Sequence, residues 1–249
     1  GVLDSDLDCD SDFFRSAYMV DRLIYLYARE KLDDIERETG VAICCLDDWL
    51  EACEIILDDA LEKGAVALKC GLAYERSLLF ERVTKQEAEE CFHHVIKMKR
   101  SADWNNRVAT TTKAFQDYMM HYILRIANKK GLVFQFHTGL LEGNGNYISN
   151  SDPSLLSNLL LEYPNVTFDL FHIGFPYQHV MSALGKMFPN VRLNMCWAHV
   201  ISPAASMDIL NEWLDSVPIN KIIAFGGDYC FVDAVYGHQA IARMNVSTV

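Results

Sequence analysis

The sequence of 249 residues predicts an α/β fold built on parallel strands. Three observations carry that expectation. Short apolar runs alternate with stretches of helical period. Several runs lack polar alternation, as strands buried on both faces of a parallel sheet require. Three of them stop abruptly at a metal-capable side chain: Phe134-Gln-Phe-His137, Phe168-Asp-Leu-Phe-His172 and Ile222-Ile-Ala-Phe-Gly-Gly-Asp228. Barrels and doubly wound sheets both gather their ligands at the C-terminal ends of parallel strands.

The elements follow in order. The run from Tyr18 to Tyr27 reads as a first strand. Asp47 reads as the cap of a helix with Leu50, Cys53, Ile56, Leu57, Ala60 and Leu61 on one face, stopped by Gly64. Ala65 to Lys69 is the next strand. Thr84 and Glu87 have capping-box spacing for a helix reaching about Arg100. A helix from about Thr112 to Lys130 should bury Phe115, Tyr118, Met119, Tyr122, Ile123 and Ile126, and Gly131 ends it.

Leu132 to His137 is a strand. Asp152-Pro153 opens a helix reaching about Tyr163. Val166 to His172 is a strand, with a helix to Phe188 behind it. Val191 to Trp197 is a strand, and Ser202-Pro203 caps the helix that follows. Ile222 to Phe225 is the last strand. Nothing rich in Gly and Ser divides the chain, so residues 1–249 read as one domain. Five strands are clear and a sixth is weaker, whereas a closed (β/α)8 TIM barrel needs eight. If the fold is that barrel, its missing strands precede Gly1. Gly1 in place of a methionine, Val2-Leu3 as the tail of a strand, and the uncapped amphipathic end from Ala240 agree with an internal piece of a longer protein.

The net charge of −12 argues against nucleic acid and anionic membrane surfaces as partners. Asp4, Asp6, Asp8, Asp10 and Asp12 read as a solvated loop, since the glycine and glutamate of a calcium-binding EF-hand are missing. The eight cysteines form no CxxC and sit in apolar patterns, which predicts buried free thiols in a reducing cytosol. No signal peptide or run of membrane-spanning length occurs, and the expected location is cytoplasmic.

His137 and Asp228 form the strongest pair. An imidazole and a carboxylate suit zinc or another borderline divalent ion, and a carboxylate beside an ion-bound water can take its proton. His172 reads either as a ligand or as a group that polarises a substrate carbonyl. Its plainer role is a rim histidine bonded to Gly174-Phe-Pro176. Lys69, at a strand end, reads as a carbamylated metal bridge, a cation for a substrate carboxylate, or a surface lysine. Tyr74 and Arg76 follow that strand, and Arg76 either clamps a substrate carboxylate or makes a surface ion pair. Trp197 and His199 are candidates to wall the pocket, with a structural tryptophan the plainer role for Trp197, and His238 is a candidate for its rim. The glycine-rich loop of residues 139–146 lets backbone approach a ligand. His93, His94, His121 and His179 fall within helices and carry no assigned chemistry. No nucleophile elbow and no GxGxxG turn occur.

Together, Phe-Gln-Phe-His137-Thr-Gly, Phe-His172-Ile-Gly-Phe-Pro-Tyr, the strand Pro189-Asn-Val-Arg-Leu-Asn-Met-Cys-Trp197 and Phe-Gly-Gly-Asp228 resemble the amidohydrolase superfamily, near its uronate isomerases and decarboxylase-like members. The resemblance spans roughly residues 65–249. It implies a (β/α)8 barrel with a divalent metal centre, zinc first and manganese or iron next. His137 would be the strand-5 histidine, His172 the strand-6 histidine, Asp228 the strand-8 aspartate and proton shuttle, and Lys69 would hold the strand-4 position. The family's His-x-His of strand 1 occurs nowhere in this sequence, which implies that strand 1 lies outside it and that this chain alone is inactive.

The implied function is metal-dependent hydrolysis, a metal-activated water attacking a carbonyl-type substrate. A uronate-isomerase-like or decarboxylase-like enzyme on the same barrel is the alternative, as is a metal-free binding module. A small-molecule substrate such as a carboxylate or sugar acid is expected. Open sheet edges would make the piece a homo-oligomer or prone to aggregate.

Overall fold

The computed structural model describes residues 13–26, 29–97, 112–143, 145–229 and 231–249. The acidic run of residues 4–12, the Val2-Leu3 strand tail, the Tyr27 and Arg100 limits, Asn144, Cys9 and Cys230 lie outside them. The described residues fall into two compact units. One ends at Leu132, and the other comprises Val133–Val249 with Ser77–Leu79.

In the first unit, β1 (Ser16–Met19) pairs in parallel with β2 (Ala65–Cys70). Three helices connect them: α1 (Asp21–Ile24), α2 (Arg29–Thr39) and α3 (Leu46–Glu62). The first strand is therefore shorter than the run Tyr18 to Tyr27 suggests. Its second half coils into α1, which buries Leu23 and Ile24 completely. Apolar periodicity over so short a run does not separate a buried strand from a buried helical turn.

The cap of α3 also differs from expectation. Extended Cys45 precedes the helix, and the Asp48 carboxylate accepts the Cys44 and Cys45 N–H groups at 2.8 and 3.0 Å. Asp47 sits inside the first turn. α4 (Lys85–Lys97) has the expected capping box: Thr84 N–H donates to Glu87 Oε2 at 2.9 Å, and Glu87 N–H donates to Thr84 Oγ1 at 3.2 Å. α5 (Lys113–Lys130) ends at Gly131, whose φ of 66° is the left-handed conformation a helix C-terminus favours. Its buried face is rotated from the expected one. Gln116, Asp117, Met120, His121 and Leu124 are buried, while Tyr118 and Tyr122 are half-buried. A buried ion pair between Arg76 and Asp117 draws that polar side inward.

The second unit holds four parallel strands in chain order: β3 (Val133–Phe136), β4 (Thr167–Leu170), β5 (Val191–Cys196) and β6 (Ile222–Gly226). The helix expected after Asp152-Pro153 is divided. A 3₁₀ turn, Pro153–Leu156, runs into α6 (Ser157–Glu162). Then come α7 (Gln178–Met187), α8 (Ala198–Ile201), α9 (Pro203–Ser216) and α10 (Val232–Thr248). Asp152 and Ser202 act as caps, accepting from Ser154 N–H and Ala205 N–H.

Phe134, Phe136, Phe168, Leu170, Leu193 and Met195 are completely buried on the strands. That fits a sheet covered on both faces. Six parallel strands among the described residues, alternating with helices, make up an incomplete (β/α)8 barrel. No described helix is long and apolar enough to cross a membrane. The six described cysteines are free, but burial is not general: Cys44 is exposed, and Cys45 and Cys91 are half-buried, because they lie at helix starts and flanks rather than on apolar faces.

Candidate metal centre

Three side chains converge at the C-terminal ends of β3, β4 and β6. One ligand atom from each of His137, His172 and Asp228 lies within 4.8 Å of the other two. His137 and His172 are buried, and the Asp228 side chain keeps 33% of its surface exposed. His172 Nε2 is 3.0 Å from His137 Nδ1 and 3.5 Å from Asp228 Oδ2.

Backbone carbonyls favour one tautomer of each ring. His137 Nε2 faces Leu140 O at 3.1 Å, and His172 Nδ1 faces Cys196 O at 2.8 Å. A carbonyl only accepts, so in each neutral ring the proton sits on the outer nitrogen. The inner nitrogens, His137 Nδ1 and His172 Nε2, then present lone pairs to one another and to a carboxylate oxygen. Three acceptors this close repel unless a cation or a proton lies among them. Ligands held tetrahedrally at 2.0–2.2 Å stand about 3.3–3.6 Å apart, and the observed spacings of 3.0 and 3.5 Å lie near that, with the third pair within 4.8 Å. The donor set fits a borderline divalent ion.

The backbone that aims these groups is itself unusual. His172, Ile173, Trp197 and Asp228 all have positive φ, between 51 and 66°. Every described non-glycine residue in that region sits at the end of β4, β5 or β6. Such conformations cost about 1–3 kcal/mol each and concentrate at functional sites. Gly139 has a different reason for its φ of 72°. A Cβ there would lie 2.4 Å from Gly174 C and 2.5 Å from Phe175 O, so the loops behind His137 and His172 touch backbone to backbone. The Thr138 hydroxyl donates to Phe171 O at 2.7 Å, a second tie between them.

The other expected site residues are placed as follows. Trp197 is half-buried, its ring edge-on to His172 with centroids 5.7 Å apart. His199 is buried with its ring nitrogens facing Ala224 O and Asn245 Nδ2. His238 is buried among Phe225, Tyr229 and His199, and burial pushes its imidazole down to about 4. In the first unit, Lys69 is half-buried near the end of β2 and Tyr74 is exposed. Arg76 lies under Phe80 and donates to Gln116 Oε1 at 2.9 Å and Asp117 Oδ1 at 2.7 Å. Its ion pair is buried, not at the surface. Sequence reasoning passed over Gln135, Asp169 and Asn194. The signal was present: Gln135 and Asp169 are polar residues inside mostly apolar strands, and Asn194 is a buried polar residue on a strand whose other polar member is Arg192.

A family model described as "Amidohydrolase" matches residues 40–247. Protein fluG of Emericella nidulans is 24% identical over 176 residues, 68% of this chain and 20% of that protein. Among solved structures, the glucuronate isomerase of Caulobacter crescentus has a TM-score of 0.71 at 19% identity, covering 94% of this chain and 51% of its own. The uronate isomerase of Thermotoga maritima has a TM-score of 0.71 at 16% identity, covering 94% and 54%. A candidate metal-dependent hydrolase of Lactobacillus casei has a TM-score of 0.67 at 22% identity, covering 89% and 56%. The chain thus spans a fifth of the length of its curated relative and about half of these solved chains.

Proposed function

The chain belongs to the amidohydrolase family, and we propose that it carries the metal-binding face of a divalent-metal-dependent hydrolase acting on a carbonyl-type small molecule. The supporting observation is the gathering of two imidazole nitrogens and a carboxylate oxygen within 4.8 Å of one another at the strand ends. Zinc suits this nitrogen and oxygen donor set best, with manganese or iron next. A divalent ion held there supplies Lewis-acid chemistry, acidifying a water and polarising a carbonyl.

The residues divide the remaining work. His137 and His172 are held by Leu140 O and Cys196 O with their lone pairs inward, which favours a ligand role for His172 over that of a hydrogen-bond donor to a carbonyl. Asp228 is the accessible member. It takes the proton of the attacking water as the new C–O bond forms, and returns it to the leaving nitrogen or oxygen as that bond breaks. Trp197 flanks His172 and limits water beside the reacting atoms.

A second reading has its own support. The fold covers 94% of the chain in its likeness to uronate isomerases. In such an enzyme Asp228 would move a proton between neighbouring carbons of a sugar acid.

Metal content of the purified protein, measured by mass spectrometry beside His137→Ala and Asp228→Ala, tests the shared premise. Zinc, manganese or iron bound by the wild type and lost in both variants would support the site. Absence of metal both here and in a protein extended upstream would sink the enzyme reading and leave a metal-free binding module, whereas metal in the extended protein alone would place the remaining ligands outside these residues. Assays on amides, lactones and hexuronates then separate hydrolysis from isomerisation.

A further inference from the structure

Beneath the strand ends lies a buried polar chain whose last member is His172. Gln135, Asp169 and Asn194 stand on β3, β4 and β5, and Gln135 is the direct register partner of Asp169. The Asp169 carboxylate is buried and accepts from Asn194 Nδ2 at 3.0 and 3.1 Å and from Gln135 Nε2 at 3.2 Å.

That arrangement leaves Asn194 one orientation. Its amide nitrogen faces Asp169, so Oδ1 points the other way and accepts the Cys196 N–H at 2.9 Å. At this place the β5–β6 register slips, between Asn194 and Cys196. The side chain of Asn194 holds the Cys196 N–H at the slip. The Cys196 carbonyl in turn accepts from His172 Nδ1. A carboxylate, an amide, the backbone of Cys196 and an imidazole are thereby linked in sequence, the N–H and the carbonyl of Cys196 lying on the two peptide groups that flank its Cα.

We propose that Asp169 is a positioning residue: acting through Asn194 and the backbone of Cys196, it holds His172 in the tautomer whose Nε2 lone pair faces His137 and Asp228. Its consequence for metal affinity rests on the function proposed above. The tautomer itself does not.

Two isosteric changes of opposite sense make the idea testable. Asp169→Asn presents an amide to an amide. One acceptor oxygen is left at residue 169 for both Asn194 Nδ2 and Gln135 Nε2, and its NH₂ faces one of them. The hold on Asn194 loosens, the Cys196 N–H loses a fixed acceptor, and residue 196 can turn about its φ and ψ, carrying away the carbonyl that His172 faces. The double variant Asp169→Asn/Asn194→Asp restores every link. The amide now on β4 donates to the carboxylate on β5, whose other oxygen accepts the Cys196 N–H, and Gln135 still finds an oxygen. A network that serves only as packing gains nothing specific from that exchange.

The first readout is the ring ¹⁵N spectrum of histidine-labelled protein without metal, with His172 assigned by His172→Asn. The wild type should show His172 as the Nδ1–H tautomer. Asp169→Asn should shift it toward a mixture, and the double variant should restore it. Asn194→Ala breaks the link without placing a new charge, and it should show the same shift should Asp169→Asn fail to fold. The second readout is zinc affinity by calorimetry. It should fall about 10- to 100-fold in Asp169→Asn, the usual cost of losing a group that orients a ligand, and return in the double variant. A wild-type tautomer in Asp169→Asn or in Asn194→Ala would overturn the proposal. So would a double variant that resembles the single one. A wild-type protein that binds no zinc would overturn the metal reading alone, because the tautomer is read without metal.

Discussion

Ile173 is β-branched and buried, yet its φ is 51°, a conformation residue type gives no hint of. The residue scale is where the sequence says least about backbone. His137, His172 and Asp228 were visible in advance because a polar, metal-capable group ending an apolar run is rare. That Cys196 would matter through its carbonyl was not, since any residue carries one. Glycines show how context decides cost. Gly131 and Gly139 both have left-handed φ, but a Cβ on Gly131 meets nothing within 4 Å, whereas one on Gly139 meets immovable backbone. Gly131→Ala should destabilise by about 1–2 kcal/mol, and Gly139→Ala by at least about 3 kcal/mol. Urea unfolding of the two variants checks the contrast, and similar midpoints would contradict it.

At the scale of the element, caps were the most legible feature. Thr84 with Glu87, Ser202-Pro203 and Asp152-Pro153 all start helical turns where their spacing predicts. Ser202→Ala should cost about 1 kcal/mol, seen as a lower melting temperature. Short apolar runs were the least legible, as the coiling of α1 out of the first strand shows. That turn carries a consequence at its first residue. The Asp21 carboxylate accepts the Gly71 N–H at the end of β2, and burial raises its pKa from 3.8 to about 6. Between those values the folded chain keeps a proton that the unfolded chain has released. Stability from this group is therefore full below about pH 4 and lost as pH rises through about 6. Asp21→Asn should remove that slope and add about 3 kcal/mol near pH 7. Urea midpoints at about pH 4 and about pH 7 for both proteins give the answer, and parallel slopes would refute it.

For the whole molecule, the alternation of strands and helices and the order of the motifs were enough to predict the α/β class and the family. The described residues cluster into two compact units, and no change in composition marks the boundary between them. β6 pairs with β5 alone among the described residues, and its Ile223 and Phe225 are 38% and 39% exposed. Val235, Tyr236 and Met244 of α10 are exposed as well. A strand edge of this kind recruits partners, and a lysine on it discourages them. Sedimentation velocity should show association that grows with concentration, and Phe225→Lys should suppress it. A single species at every concentration would count against the prediction. Solubility should be lowest near the sequence pI of about 5.0, where the repulsion that keeps copies apart vanishes.

The backbone contact between the loops at Gly139 and Gly174 ties two strand ends together. Two imidazoles mounted on loops that already touch have little room to move independently. Were an ion to enter, both nitrogens, 3.0 Å apart, would reach it, and nitrogen is a donor that calcium, which gathers six to eight oxygens, does not favour. A substitution in either loop should therefore move both histidines together.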